Sequence, residues 1–129
     1  MRYSQTMEPT RPFRRISLPA HEGVSPVSGV TMRAVFGETA MFNLVQLDAG
    51  AIVPEHSHPE EQLGIVIQGV QVLSVDGVEH ELGPLEAYAL AGGVPHGGRG
   101  GPEGCLVLDV FHPAREDYRH AEAPAVETD

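Results

Sequence analysis

The chain has 129 residues, with 15 Gly, 11 Pro, 41% hydrophobic residues and one cysteine, a length that suits a single domain with a real core. Its formal net charge is -10 and all eight of its basic residues are arginines; nucleic acid and anionic membrane would both need a cationic face, so the expected partner is a small molecule or a protein. Lone Cys105 excludes an intrachain disulfide framework, and without a signal-like apolar segment or an 18-residue apolar run the expectation is a soluble, cytoplasmic protein.

Residues 1–29 carry Pro9, Pro12, Pro19 and Pro26 with little periodicity and read as an extended arm, which Phe13 and Ile16 can pin to a surface. From Val30 the pattern changes to short apolar runs, "VTMRAVF" and "AMFNLVQL", ended by Gly37 and by Asp48-Ala49-Gly50, as strands of a sandwich or barrel are. "QLGIVIQG" and "VQVLSVDGVEHEL" supply three more strands, the last two joined by Asp76-Gly77, whose readiness for positive φ predicts a two-residue type I′ turn. "EAYALAGGVPHGG" and "CLVLDVFHP" complete the β series, so residues 30–115 form the barrel. Residues 116–129 form a tail, with at most a couple of helical turns in "AREDYRHAEA" before an acidic end.

The fold class is all-β. So many antiparallel strands leave edges to be closed, which favours a single-domain barrel or double-sheet jelly roll. "CLVLDVF" is apolar on both faces, which predicts burial on both sides and a homodimer.

The chemistry concentrates in "EHSHPEEQLGIVIQG". Residues i and i+2 of a strand share a face, so His56 and His58 can aim two imidazoles at one point, with Gln62 in the same parity. His96 in "GGVPHGG" is a third candidate, held between glycines that let the backbone bend and a proline that stiffens it. An H-x-H pair standing alone is more often solvated or hydrogen-bonded.

Gly50, His56, His58, Gln62 and Gly69 form G-x5-H-x-H-x3-Q-x6-G, followed downstream by A-x-G-x-P-H at Ala91 to His96. This two-part pattern resembles the cupin family over roughly residues 30–115. The resemblance implies a cupin-type jelly-roll β-barrel holding one divalent metal ion, of zinc, iron, manganese or nickel, on His56, His58, Gln62 and His96. Three positions depart from the family pattern: Gln62 stands for the usual glutamate, Leu85-Glu86 for Gly-Asp, and Ala91 for proline. A glutamine oxygen is a neutral ligand, so the metal keeps its full dipositive charge and favours anionic ligands and Lewis-acid chemistry. The alternative for Gln62 is a hydrogen bond to a metal-bound water.

Alternation along "CLVLDVFHPAREDY" puts Cys105, Val107, Asp109 and Phe111 on one face. A carboxylate in so apolar a strand needs a buried partner, such as Arg33 or Arg115, or a function. The run D-x-F-x-P-x-R-E-D-Y, from Asp109 to Tyr118, is similar to the ending of a cupin subgroup that includes the KdgF-like proteins, which act on unsaturated uronates. Glu60 stands where that subgroup often has histidine. The likeness implies Asp109 as general acid or base, Phe111 as cavity lining and Arg115 as a forked clamp on a substrate carboxylate. Tyr88 and Arg99 flank the second motif within reach of a ligand.

His21, His80, His112 and His120 lie outside the motifs and read as surface groups, Glu55, Glu60 and Glu61 as an acidic rim, and Cys105 as a packed thiol. The function expected first is a metal-dependent, non-redox isomerase or lyase acting on a small acidic, sugar-derived or polyketide-like molecule. An iron-dependent dioxygenase and a non-catalytic ligand-binding cupin are the alternatives.

Overall fold

The computed structural model describes residues 12–126 and is built from antiparallel strands. Strands β1 (Val30–Phe36) and β2 (Met41–Leu47) fall where the sequence places them, with buried and more exposed side chains alternating as on a half-buried strand. β3 (Ile52–His56), β4 (Glu61–Val75), β5 (Val78–Leu82), β6 (Ala87–Leu90) and β7 (His96–His112) follow, and a 3-10 helix occupies Glu116–Ala121. The β4–β5 turn has Asp76 at φ 49 and Gly77 at φ 81, the two positive values of a type I′ turn.

Two pairs of segments expected as separate strands are continuous. "QLGIVIQG" runs on into "VQVLSV" as the 15-residue β4, and "HGG" is joined to "CLVLDVFH" in the 17-residue β7. Glycine makes this possible. Gly69 and Gly104 both have φ +76, and a Cβ on Gly69 would stand 2.2 Å from the Gly104 carbonyl oxygen, closer than any side chain tolerates. The β4–β7 register shifts between Gly69 and Gln71, and such irregularities bend strands without ending them.

Each long strand therefore serves two walls. One wall runs β1-β2-β7-β4-β6 through residues 105–112 of β7 and 61–69 of β4; the other runs β3-β7-β4-β5 through residues 96–100 and 71–75. The result is a jelly-roll barrel around a core that includes Met32, Phe36, Met41, Val66, Val107 and Phe111. The free edge of β1 is covered by bridges from Val24 to Met32 and from Glu122 to Ala34.

Of the two residues expected to pin the arm, Phe13 is 76% exposed, whereas Ile16 is half-buried beside Val35 and Phe36. Hydrogen bonds hold the arm as well: the Arg14 guanidinium donates to the Phe36 carbonyl and the Val126 N–H to that of Arg15. Residues 1–11 of the arm and 127–129 of the tail lie outside the described residues. Among the described residues no helix is long and apolar enough to cross a membrane. Leu106, Leu108 and Val110 are only half-buried on the outer face, beside the exposed Leu63 and Ile67, so the single chain does not cover both faces of β7.

Candidate metal centre

His56 ends β3 and His96 opens β7, where the two are register partners with ring centroids 4.5 Å apart. His58 lies beyond β3, in the turn before β4, so strand parity is not what aligns it. That turn is fixed by the second motif: the Gly93 N–H donates to the His58 carbonyl at 2.8 Å, and a Cβ on Gly92 would stand 2.1 Å from the Pro59 carbonyl oxygen. The glycines of the downstream loop thus let it close on the H-x-H turn.

One ring nitrogen from each of His56, His58 and His96 lies within 4.8 Å of the others. The remaining nitrogens explain how the rings are set. Each Nδ1 faces a backbone carbonyl: His56 to Pro54 at 2.8 Å, His58 to Glu60 at 3.1 Å and His96 to Val94 at 2.9 Å. A carbonyl only accepts, so each Nδ1 carries the proton and each Nε2 keeps its lone pair for a metal. Burial holds the pKa of His58 and His96 below the ordinary histidine value, aided at His58 by the Arg115 charge, which favours the neutral, ligating form.

Gln62, on β4, is 5% exposed and places Oε1 3.1 Å from His58 Nε2. With the His58 proton on Nδ1 that contact joins two acceptors, and a cation shared between them reconciles it. The Gln62 side chain also lies close enough to Asp109 to draw its pKa down. Three neutral nitrogens and a neutral oxygen suit a divalent ion.

A second group lies on a row across the wall, where Asn43 pairs with Asp109, Asp109 with Gly64 and Gly64 with Tyr88. Gly64 makes room for the tyrosine, since a Cβ there would stand 2.1 Å from Tyr88 Cζ. The Tyr88 hydroxyl donates to Asp109 Oδ1 at 2.5 Å. Burial pushes the Asp109 carboxyl up to about 6, against the pull of the hydrogen bonds from Tyr88 and Gln62. Burial, with the Asp109 charge second, keeps Tyr88 protonated well above its ordinary pKa.

Neither arginine weighed as a partner for Asp109 pairs with it. Arg33 donates to the carbonyls of His21 and Glu22, and Arg115 to Asp117 and Tyr118. Arg115 is 8% exposed with its guanidinium 4.1 Å from the Tyr118 ring centre. Its fork is therefore partly taken: Nε and one terminal nitrogen hold Asp117, and the other holds the Tyr118 hydroxyl. One hydrogen on each terminal nitrogen is left over. Phe111 packs edge-on against His58 at 5.5 Å.

A cavity of about 320 Å³ is lined by His56, His96, Gln62, Asp109, Tyr88 and Arg115, among others, and by Phe111. Arg99 is not part of it; it pairs with Glu79 at 2.5 Å on the surface. His80, His112 and His120 are exposed, whereas His21 is half-buried with Nε2 enclosed and unpartnered among the described residues. Glu55 and Glu61 are exposed, but Glu60 is half-buried, with one oxygen 3.5 Å from His58 Nδ1. Cys105 is buried and its thiol pushed up to about 11 by burial, as a packed thiol is. Two polar cavity residues escape the sequence reading, Asn43 and Gln71. An amide within an apolar strand, as in "MFNLVQL", is the signal that marks Asn43.

Residues 43–111, more than half of the chain, match the cupin domain model, and the protein belongs to the cupin family. Among solved structures it is similar to KdgF from Halomonas sp., at 26% identity over 80% of this chain and 97% of that one, with a TM-score of 0.75. An RmlC-like cupin from Shewanella frigidimarina is 29% identical over 78% of this chain and 90% of that one, with a TM-score of 0.72. Salicylate 1,2-dioxygenase from Pseudaminobacter salicylatoxidans shares the fold at 11% identity, with a TM-score of 0.64 over 68% of this chain and 27% of that one. Among curated proteins there is no significant match.

Proposed function

We propose that the protein is a metal-dependent, non-redox isomerase or lyase acting on a small, acidic, sugar-derived molecule. The observation that carries this reading is Asp109, buried in the cavity between Tyr88 and Gln62 with its carboxyl pushed up to about 6. Such a group gives and takes a proton near neutral pH. Similarity to KdgF over nearly the whole of that protein supports it.

A divalent ion on His56, His58, His96 and Gln62 would supply Lewis-acid polarisation of a substrate oxygen. Arg115 orients the substrate by its carboxylate through the two N–H groups that Asp117 and Tyr118 leave over. Phe111 and Tyr88 bound the space so that the carbon or oxygen losing a proton faces Asp109. Asp109 takes that proton and returns it to the neighbouring atom, while Tyr88 stays protonated and keeps its hydrogen bond to the carboxylate. The protein is further proposed to be a cytoplasmic homodimer. The free thiol of Cys105 suits a reducing compartment, and the outer apolar face around Leu63, Ile67 and Leu108 suits a second copy.

The test is an NMR time course of zinc-loaded protein with unsaturated uronates and small keto acids in deuterated water without oxygen. Deuterium uptake or isomerisation in the wild type and none in Asp109→Asn supports the reading. Turnover that requires ferrous iron and consumes oxygen replaces it with a dioxygenase.

A further inference from the structure

The cavity has two ends, and the proposed chemistry occupies one of them. β7 bends at the glycines of residues 100–104, with His96 and Phe111 near its two extremities and Gln62 paired with Phe111. From that end toward the bend, the lining runs from Phe111 through Asp109 to Val107 on one wall and from His96 to Gly98 on the other. Val45 pairs with Val107, and Val53 with Gly98. Val30, Met32 and Leu73 line the cavity beside them, and Val27, 42% exposed, stands at its rim. Gln71 is also at this end, but it is 8% exposed and lies close enough to Tyr88 to counter part of the rise in its pKa.

These apolar walls are not packed shut. β2 is flanked by β1 and β7, so its inward side chains meet only the barrel interior. Met41, Asn43 and Leu47 of that inward row are buried, yet Val45 between them is only half-buried. Val53 is likewise half-buried while it lines the cavity. A side chain kept for packing alone would fill the space in front of it, as a leucine at either position would. Open apolar surface gains by giving up its water to an apolar partner, and it offers a hydroxyl nothing in exchange for the water that the hydroxyl loses.

We infer that Val27, Val45 and Val53 are specificity-determining residues that hold an apolar part of the ligand, so that the acid bound at the metal end carries an alkyl or aryl group remote from its carboxylate. This rests on the proposed function for which end the acid head occupies. For a sugar-derived acid it means a far end that is deoxygenated, alkylated or acylated. Arg115 and the metal end select the head, and the valines select against a body rich in hydroxyls.

The test is a chain-length series that shares one head: pyruvate, 2-oxobutanoate, 2-oxopentanoate and 2-oxohexanoate. Their dissociation constants are measured by ligand-observed NMR titration on the zinc-loaded wild type and on Val45→Thr, Val53→Thr, Val27→Ser and Val45→Phe. In the wild type, affinity should rise by about threefold to fourfold for each added methylene. Threonine keeps the shape of valine but adds a hydroxyl, so Val45→Thr and Val53→Thr should each flatten the rise to about twofold or less while leaving pyruvate unchanged. Val27→Ser, at the rim, should weaken the longest acid alone. Val45→Phe fills the compartment and should weaken 2-oxohexanoate by about tenfold or more with pyruvate retained. If Val45→Phe does not fold, the two threonine variants carry the test.

A flat series, or a rise that every folded variant reproduces, overturns the inference and leaves the proposed function in place. A rise that the zinc-free protein shows equally, with the threonine variants flattening it, keeps the apolar compartment and removes the acid head from the metal centre. Absence of binding by all four acids to the zinc-loaded wild type overturns both.

Discussion

Replacing Asp109 by asparagine should stabilise the protein at neutral pH while abolishing turnover. The carboxyl ionises near 3.8 when free and near about 6 inside the barrel, chiefly because burial disfavours its charge. The folded value is the raised one, so between these limits the folded protein holds a proton that the unfolded chain has lost. Stability from this group is therefore complete below 3.8 and is lost as pH rises through about 6. At about 1.4 kcal/mol per pH unit, the interval from 3.8 to about 6 amounts to about 3 kcal/mol. Asparagine keeps an acceptor for the Tyr88 hydroxyl and carries no charge. Urea unfolding of the metal-free proteins should thus find the variant more stable by about 3 kcal/mol at pH 8 and nearly equal to the wild type at pH 3. Titration of His58 and His96 affects both proteins alike and cancels in the comparison. A difference that does not change with pH would refute the reasoning, because it would mean that Asp109 ionises as freely in the barrel as in the open chain.

His58→Ala should weaken zinc binding by about a hundredfold or more, and Gln62→Ala by a smaller factor of about ten, as read by competition with a chromogenic chelator. Equal affinity in Gln62→Ala would assign its oxygen to a hydrogen bond alone. Gly64→Ala puts a Cβ 2.1 Å from Tyr88 Cζ, so the ring must move; a loss of about 1–3 kcal/mol in unfolding free energy is expected. Asp117→Asn removes the charge that holds the Arg115 fork, and acetate binding should tighten by about threefold, a modest factor because Asp117 is largely exposed to solvent. Leu63→Glu combined with Leu108→Glu should convert a dimer to a monomer in sedimentation without lowering secondary structure; a monomeric wild type would dispose of the proposed interface.

The three clustered histidines were legible because they fall in two short motifs whose spacing carries their geometry. Their alignment was legible only in part. His58 reaches the centre through a turn clamped by Gly92 and Gly93, a contact between segments more than thirty residues apart that alternation within one strand does not describe. The joining of β4 and of β7 into long bent strands was hidden for a related reason: Gly69 and Gly104 look like strand ends in sequence but are crossing points in space. Asp109 stood out as a charge in an apolar strand, yet its partner could not be read from charge, because that partner is the neutral Tyr88 hydroxyl. Asn43 is signalled only as an amide within an apolar strand, and Gln71 is unmarked by any motif; both show themselves in the structure as buried amides whose oxygens lack a donor among the described residues.

Because β4 and β7 each belong to both walls, neither wall is a separable part. Cutting or loosening one half of the molecule removes strands from the other, so opening should be all-or-none instead of proceeding wall by wall. The histidines are drawn from three segments that meet only once this shared framework is closed. Affinity for a metal at the proposed centre is then a report on the integrity of the whole barrel, and a fragment carrying both histidine motifs without β1 and β2 should bind none, having lost its fold.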